Sequence, residues 1–220
     1  MKMLSLIVVL TLLWTTGCHL GSVQVKGSGK RVVEKRQVSS FTSISTEGAF
    51  NVEIVCQKDL SLEVEADDNL LPLLKSEVSG NVLKLSSKGN FSTSDPITFK
   101  ISVPNLEALN VNGAGKMAIT GIDNEQFEIE ANGAAAIAAT GATKLINIKT
   151  NGAAKIDTHN LRSARAAVDS TGVSKVDLGV CDQLDVTVSG PSQVTYRGNP
   201  AVNKTVHGPG KVEKRGDEGA

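Results

Sequence analysis

Asn112-Gly113-Ala114-Gly115-Lys116-Met117 decides the fold, because it returns five times in altered form. The later copies are Asn132-Gly133-Ala134, Asn151-Gly152-Ala153, Thr171-Gly172-Val173, Ser189-Gly190-Pro191 and His207-Gly208-Pro209. Their glycines fall at 113, 133, 152, 172, 190 and 208, in steps of 20, 19, 20, 18 and 18. A period near twenty residues marks a stacked solenoid, whose single units are too small to bury their own apolar face.

With each glycine as position zero, position +4 is Met117, Ile137, Ile156, Val176, Val194 and Val212, apolar in every copy. Position −4 is Leu109, Ile129, Ile148, Val168, Val186 and then Lys204. Positions −2 and −6 are mostly apolar or small, so each arm alternates with the period of a strand that buries one face. Two short strands therefore flank the glycine. A second small-residue punctuation falls at +8, at Gly121, Gly141, Asn160, Gly198 and Gly216, with Val180 the exception. Two bends let each coil turn back on itself, and glycine suits them through positive φ and close backbone approach. The inward residues are then expected to form columns of like on like.

The small members Ala131, Ala135, Ala139, Thr150 and Ser170 predict a thin interior. One Trp, one Tyr and five Phe leave no material for a bulky aromatic core. A β-sandwich also shows turn signals about every 8–12 residues. Position-by-position matching across six copies favours the solenoid.

The chain has 220 residues, with 23 basic and 23 acidic side chains. That balance does not provide the basic surface a nucleic-acid partner selects. At the start, Lys2 precedes an apolar run, Leu4 to Trp14. The run is too short to span a bilayer as a helix but fits the apolar segment of an export signal. It ends in Thr15-Thr16-Gly17-Cys18. Small residues before a cysteine resemble the bacterial lipoprotein processing site, although Thr15 stands where Leu is usual. That resemblance implies a signal at 1–18 and acyl chains, palmitate among them, on Cys18. His19 rather than Asp, by resemblance to enterobacterial sorting, favours the outer membrane over the inner. An ordinary signal peptide with an incidental cysteine is the alternative. Residues 19–37 lack an apolar period and read as a flexible tether.

The body is expected at 38–216, with a frayed tail at 217–220. Gly48 is the zero of a divergent first repeat, with Ile44 at −4, Val52 at +4 and Ile54 at +6. An irregular insertion at about 60–104 follows. In it, Ser61–Glu65, Val82–Leu85 and Ile97–Val103 read as strands, Lys88–Pro96 as a loop, and Leu70–Lys75 as a short helix capped by Asp67 or Asp68. This subregion is read as a cover for one end of the solenoid, since bare strand edges pair with other chains. Lys204, Lys211, Pro209, Lys214 and Arg215 blunt the other end. Cys56 and Cys181 lie four coils apart, roughly 19 Å at about 4.8 Å per rise. A disulfide needs Cα atoms within about 7 Å, so both are expected as free thiols.

The Leu109-x-Val111-x-Gly113-x-Gly115-x-Met117 coil, the lipoprotein start and the leading Phe41-x-x-Ile44-x-x-x-Gly48-x-Phe50-x-Val52 segment resemble the head GIN domain family of auto-transporter adhesins. The likeness covers roughly residues 38–216. It implies an all-β fold, a right-handed single-stranded parallel β-helix, and an adhesin-like role.

Two outward positions flank the buried +4 residue. Position +3 carries Lys116, Lys155, Lys175 and Lys211, and position +5 carries Asp157, Asp177 and Glu213. Together they form a candidate binding strip for a polysaccharide or another envelope protein. The simpler reading is a solvated face, in which Lys and Asp of neighbouring coils relieve like-charge stacking. Position −1 is Asn112, Asn132, Asn151, Thr171, Ser189 and His207, for which turn chemistry suffices, with an amide ladder as the alternative. No zinc spacing, nucleophile elbow or phosphate loop is present. Asp157, Asp169, Asp177 and Asp185 occupy different arms, against the clustered carboxylates of a polysaccharide-degrading β-helix. The expectation is a lipid-anchored, non-catalytic envelope module without cofactor or metal. A self-associating envelope scaffold is the runner-up, and a polysaccharide-degrading enzyme comes third.

Overall fold

The computed structural model describes residues 24–216. The export signal with Cys18, residues 19–23 of the tether and the tail 217–220 lie outside the described residues. The body is a β-solenoid of about five turns. Among the described residues the one helical element is a 3-10 turn at Leu71–Leu73.

Each apolar position of the repeat becomes a column. Val52, Met117, Ile137, Ile156, Val176, Val194 and Val212 are successive register partners in parallel strands. All but Val212 are buried. On the facing wall, Ile44 pairs with Leu109, and Ile129, Ile148, Val168, Val186 and Lys204 follow in register. The two walls enclose one core. Full burial of each such side chain contributes about 1.5–3 kcal/mol.

The corners explain the glycines. Gly48 pairs with Gly113, and Gly152 with Gly172. A Cβ on Gly113, Gly133, Gly152 or Gly172 would lie 2.1, 2.1, 2.6 or 2.6 Å from the carbonyl oxygen of the glycine one coil below. Strands also run through the bends rather than stopping at them, so Ala108–Ala131 and Ala134–Gly152 are each continuous around a corner. The second corner is looser. Its register slips between Ile119 and Ile122, so that Gly141 pairs with Ile122 and not with Gly121. Where Val180 breaks the +8 pattern, Gly179 takes over one position earlier, against the Leu161 carbonyl.

Inside the later corners, serines replace alanines at position +2. Ser174 Oγ donates to the Gly152 carbonyl at 3.2 Å, and Ser192 Oγ to that of Gly172 at 3.0 Å. Thr150 and Ser170 share a hydroxyl bond at 2.8 Å within the core. Buried polar groups persist here because each finds a partner one coil away.

The insertion is more regular than the sequence indicates. Val82–Ser87 and Thr98–Val103 pair in parallel with Ser43–Ala49 and Asn51–Cys56, adding a complete coil beneath the Gly48 coil. Phe99 thereby extends the Val52 column, and its ring meets Phe50 edge-on at 5.2 Å. Leu74–Ser79 and Ser61–Asp67 then cover that coil in antiparallel sense. Reversing strand direction ends the parallel stack and covers its edge.

The tether reading needs correction for residues 25–36. Arg31–Lys35 pairs antiparallel with Ser61–Asp67, and Val25–Lys26 pairs with Phe91–Ser92 inside the expected loop. Ser28 Oγ donates to Asp68 at 2.6 Å, its N–H to Asn69 Oδ1 at 2.9 Å, and Asn69 Nδ2 to the Lys26 carbonyl at 2.8 Å. These bonds explain a second correction. Asp67 and Asp68 do not cap a helix; they hold the strap, and the turn starts at Leu70 without a side-chain cap. The Ser28 bond holds the Asp68 carboxyl below the usual carboxylate range. Arg36 closes the turn, donating to the carbonyls of Leu71 and Leu74 at 3.1 and 2.9 Å. Cys56 and Cys181 are buried free thiols, as the coil spacing requires.

Candidate functional site

The structure lines the strip up along one wall. Position +3 runs Lys116, Ala136, Lys155, Lys175, Gln193, Lys211, each the register partner of the next. Position +5 runs Ala118, Ala138, Asp157, Asp177, Thr195, Glu213 in the same way. Alternation of the strand forces both rows to the same side, opposite the buried +4 column.

Charge relief within the strip is partial, coming from the Lys155 charge near Asp157 and the Lys211–Glu213 pair. Lys155 stacks on Lys175, and Asp157 on Asp177, like upon like. Each aspartate has a cationic or ring-nitrogen partner from outside the strip, His159 for Asp157 and Arg215 for Asp177. Asp157 lies against His159 Nδ1 and accepts from its backbone N–H at 3.2 Å. Burial raises the Asp157 carboxyl, but the two His159 bonds and the nearby Lys155 charge outweigh it and hold it below its ordinary value. Asp177 is only 8 % exposed, beneath the Arg215 guanidinium and the Thr195 hydroxyl. Asp177 stays on the outward side but is covered by Arg215, so it is not open to a partner as the strip reading expects. Lys211 and Glu213 pair loosely at 3.9 Å.

The opposite wall behaves differently. There Glu130 pairs with Lys149 and Lys149 with Asp169, so charge sign alternates along the column. Lys149 also contacts Glu128 at 2.9 Å, a bond that raises its ammonium pKa. At the corner, Asn132 Nδ2 donates to Asn112 Oδ1 and Asn151 Nδ2 to Asn132 Oδ1, each at 3.0 Å. The asparagines thus form the amide ladder, beyond what turn chemistry alone needs. Asp169 and Asp185 belong to this wall, away from Asp157 and Asp177. Among the described residues no cluster of His, Cys, Asp and Glu could hold a metal ion.

Three alanines in the lysine and aspartate rows make a feature that the repeat pattern did not announce. Ala118, Ala136 and Ala138 form the apolar floor of a shallow depression of about 280 Å³. Lys116 borders it on one side, and Lys155 with Asp157 on the other. The Lys116 backbone N–H is held by Asn51 Oδ1 at 3.1 Å, while its ammonium has no ion pair among the described residues. The interruption of the lysine row at Ala136 was visible in the sequence. The reach of Arg215 back to Asp177 was not, because it spans 38 residues.

The family model described as "Putative auto-transporter adhesin, head GIN domain" matches residues 40–200, more than half of the chain. Among solved structures, a "putative adhesin" from Bacteroides fragilis NCTC 9343 superposes with a TM-score of 0.70 at 19% identity, covering 87% of this chain and 100% of its own. A "putative lipid binding protein" from Parabacteroides distasonis ATCC 8503 gives 0.52 at 17% identity, covering 88% and 100%. These likenesses bear on the fold. No curated protein matches the chain. A family named for adhesion goes with the cell surface or envelope. By the match over its repeats and leading coil, the chain belongs to the head GIN domain family of auto-transporter adhesins.

Proposed function

We propose that the protein is a non-catalytic, adhesin-like binding module, held to the outer membrane through acyl chains on Cys18, that engages a glycan or envelope-protein partner on the lysine-bearing wall. The carrying observation is the contrast between walls. One alternates its charges, whereas the other stacks Lys155 on Lys175 and, on the other side of Lys155, sets an alanine-floored depression between it and Lys116. Like charges directly opposed on neighbouring strands are destabilising, so that arrangement serves something other than stability. An apolar floor between cations fits a partner that presents a flat apolar surface beside anionic groups.

The test is binding of the full chain to a glycan array and to purified outer-membrane proteins, repeated with Ala136→Glu. The substitution fills the floor and opposes both lysines without touching the core. Loss of the partner recognised by the unaltered protein is the expected result. Retained binding places the site elsewhere.

A further inference from the structure

The two ends of the solenoid are finished in different ways. At the first, antiparallel strands cover the last coil. At the other, among the described residues, Ala201–His207 pairs only with Gln183–Ser189, and Lys211–Lys214 only with Gln193–Arg197. All seven residues of Ala201–His207 are exposed, including Val202 at 37% and Val206 at 39%. Yet these valines stand in core columns. Val202 continues Phe127, Ile146, Ala166 and Leu184, and Val206 continues Thr150, Ser170 and Val188. Between them stands Lys204, in the column of Ile148, Val168 and Val186.

This strand therefore presents a free row of backbone donors and acceptors, two apolar columns awaiting one more layer, and one cation in the column between. Its ammonium has no ion pair or side-chain hydrogen bond among the described residues.

We propose that this edge is a strand-acceptor site for an extended segment of another protein with the pattern aliphatic–x–acidic–x–aliphatic. Such a segment would add one coil's wall. Its backbone would complete the ladder, its aliphatic residues would cover Val202 and Val206, and its carboxylate would meet Lys204. Edge addition of this kind takes affinity from main-chain bonds and specificity from alternate side chains. The same geometry disfavours a second copy. Two such strands paired antiparallel about their centres bring Val202 to Val206 but Lys204 to Lys204, an opposed like-charge pair. An inward-pointing charge on an edge is a known guard against self-pairing. The site is separate from the lysine-bearing wall, and its test does not depend on that reading.

The probe is a blocked, fluorescent peptide Thr-Val-Thr-Glu-Thr-Val-Thr, with Gln- and Lys-centred versions, titrated against the full chain. The acidic peptide is expected to bind about tenfold more tightly than the Lys-centred one, with Gln between. Lys204→Glu, an exposed change that spares the core, is expected to invert the order. Lys204→Gln is expected to flatten it. No binding of the acidic peptide at about 1 mM, or an order unchanged by Lys204→Glu, overturns the proposal. So does a dimer of the unaltered protein whose formation hides this strand.

Discussion

At the scale of the residue, the repeated glycine serves two needs that a sequence cannot separate. Gly113, Gly172, Gly190 and Gly208 have φ between +96° and +157°. Gly133 and Gly152 are not among the positive-φ glycines, yet they are conserved in the repeat because the coil below leaves no room for a Cβ. Gly89 is the converse case, with φ of +69° and open space around it. Gly133→Ala is therefore expected to cost about 2–4 kcal/mol through overpacking against Gly113. Gly89→Ala is expected to cost about 1 kcal/mol from backbone conformation alone. Urea denaturation of the two variants decides it, and equal losses would show that close approach is not what fixes the column. The aliphatic columns were legible because they recur at one spacing. The roles of His159 and Arg215 were not, because each depends on a single contact that has no repeat to announce it.

At the scale of the element, the unit is the coil, and each coil rests on its neighbours alone. Both walls and the glycine corner could be read from alternation and period. The second corner could not be placed exactly on its glycines, since a bulge shifts register without changing composition. The N-terminal strap is the larger departure. Residues 24–37 are polar and aperiodic, which describes a linker equally well as an edge strand with one exposed face. What binds them is remote: Ser61–Asp67, the Asp68–Asn69 pair and the carbonyls of the 3-10 turn. A tether would offer Arg31, Lys35 and Arg36 freely to trypsin. The docked strap is expected to resist cleavage at these three sites under native conditions and to be cut there once the protein is unfolded in urea. Mass spectrometry of a limited digest reads the result, and rapid cutting after Lys35 or Arg36 would contradict the docking.

At the scale of the whole molecule, one core runs from the covered end to the open one, and its two thiols report on it. Burial pushes the Cys56 thiol up to about 11 from an ordinary 9.0, and raises Cys181 with help from the Asp182 charge. Above pH 9 the unfolded chain releases the Cys56 proton while the folded chain keeps it, so stability falls as pH rises toward 11. Cys56→Val removes that contribution. The stability difference between the unaltered protein and Cys56→Val, followed by denaturation from pH 8 to 11, should turn against the unaltered protein through this window. A difference independent of pH would mean that Cys56 is solvated in the fold. Taken alone, the amino-acid sequence determined the solenoid, its period, its inward columns and its outward rows, because all of these follow from local alternation repeated at fixed spacing. The tertiary structure alone decided the inserted coil, the docked strap, the depression among the lysines and the unequal finish of the two ends. Those depend on which distant segments meet, and contacts between segments without a shared period leave no trace in composition or spacing.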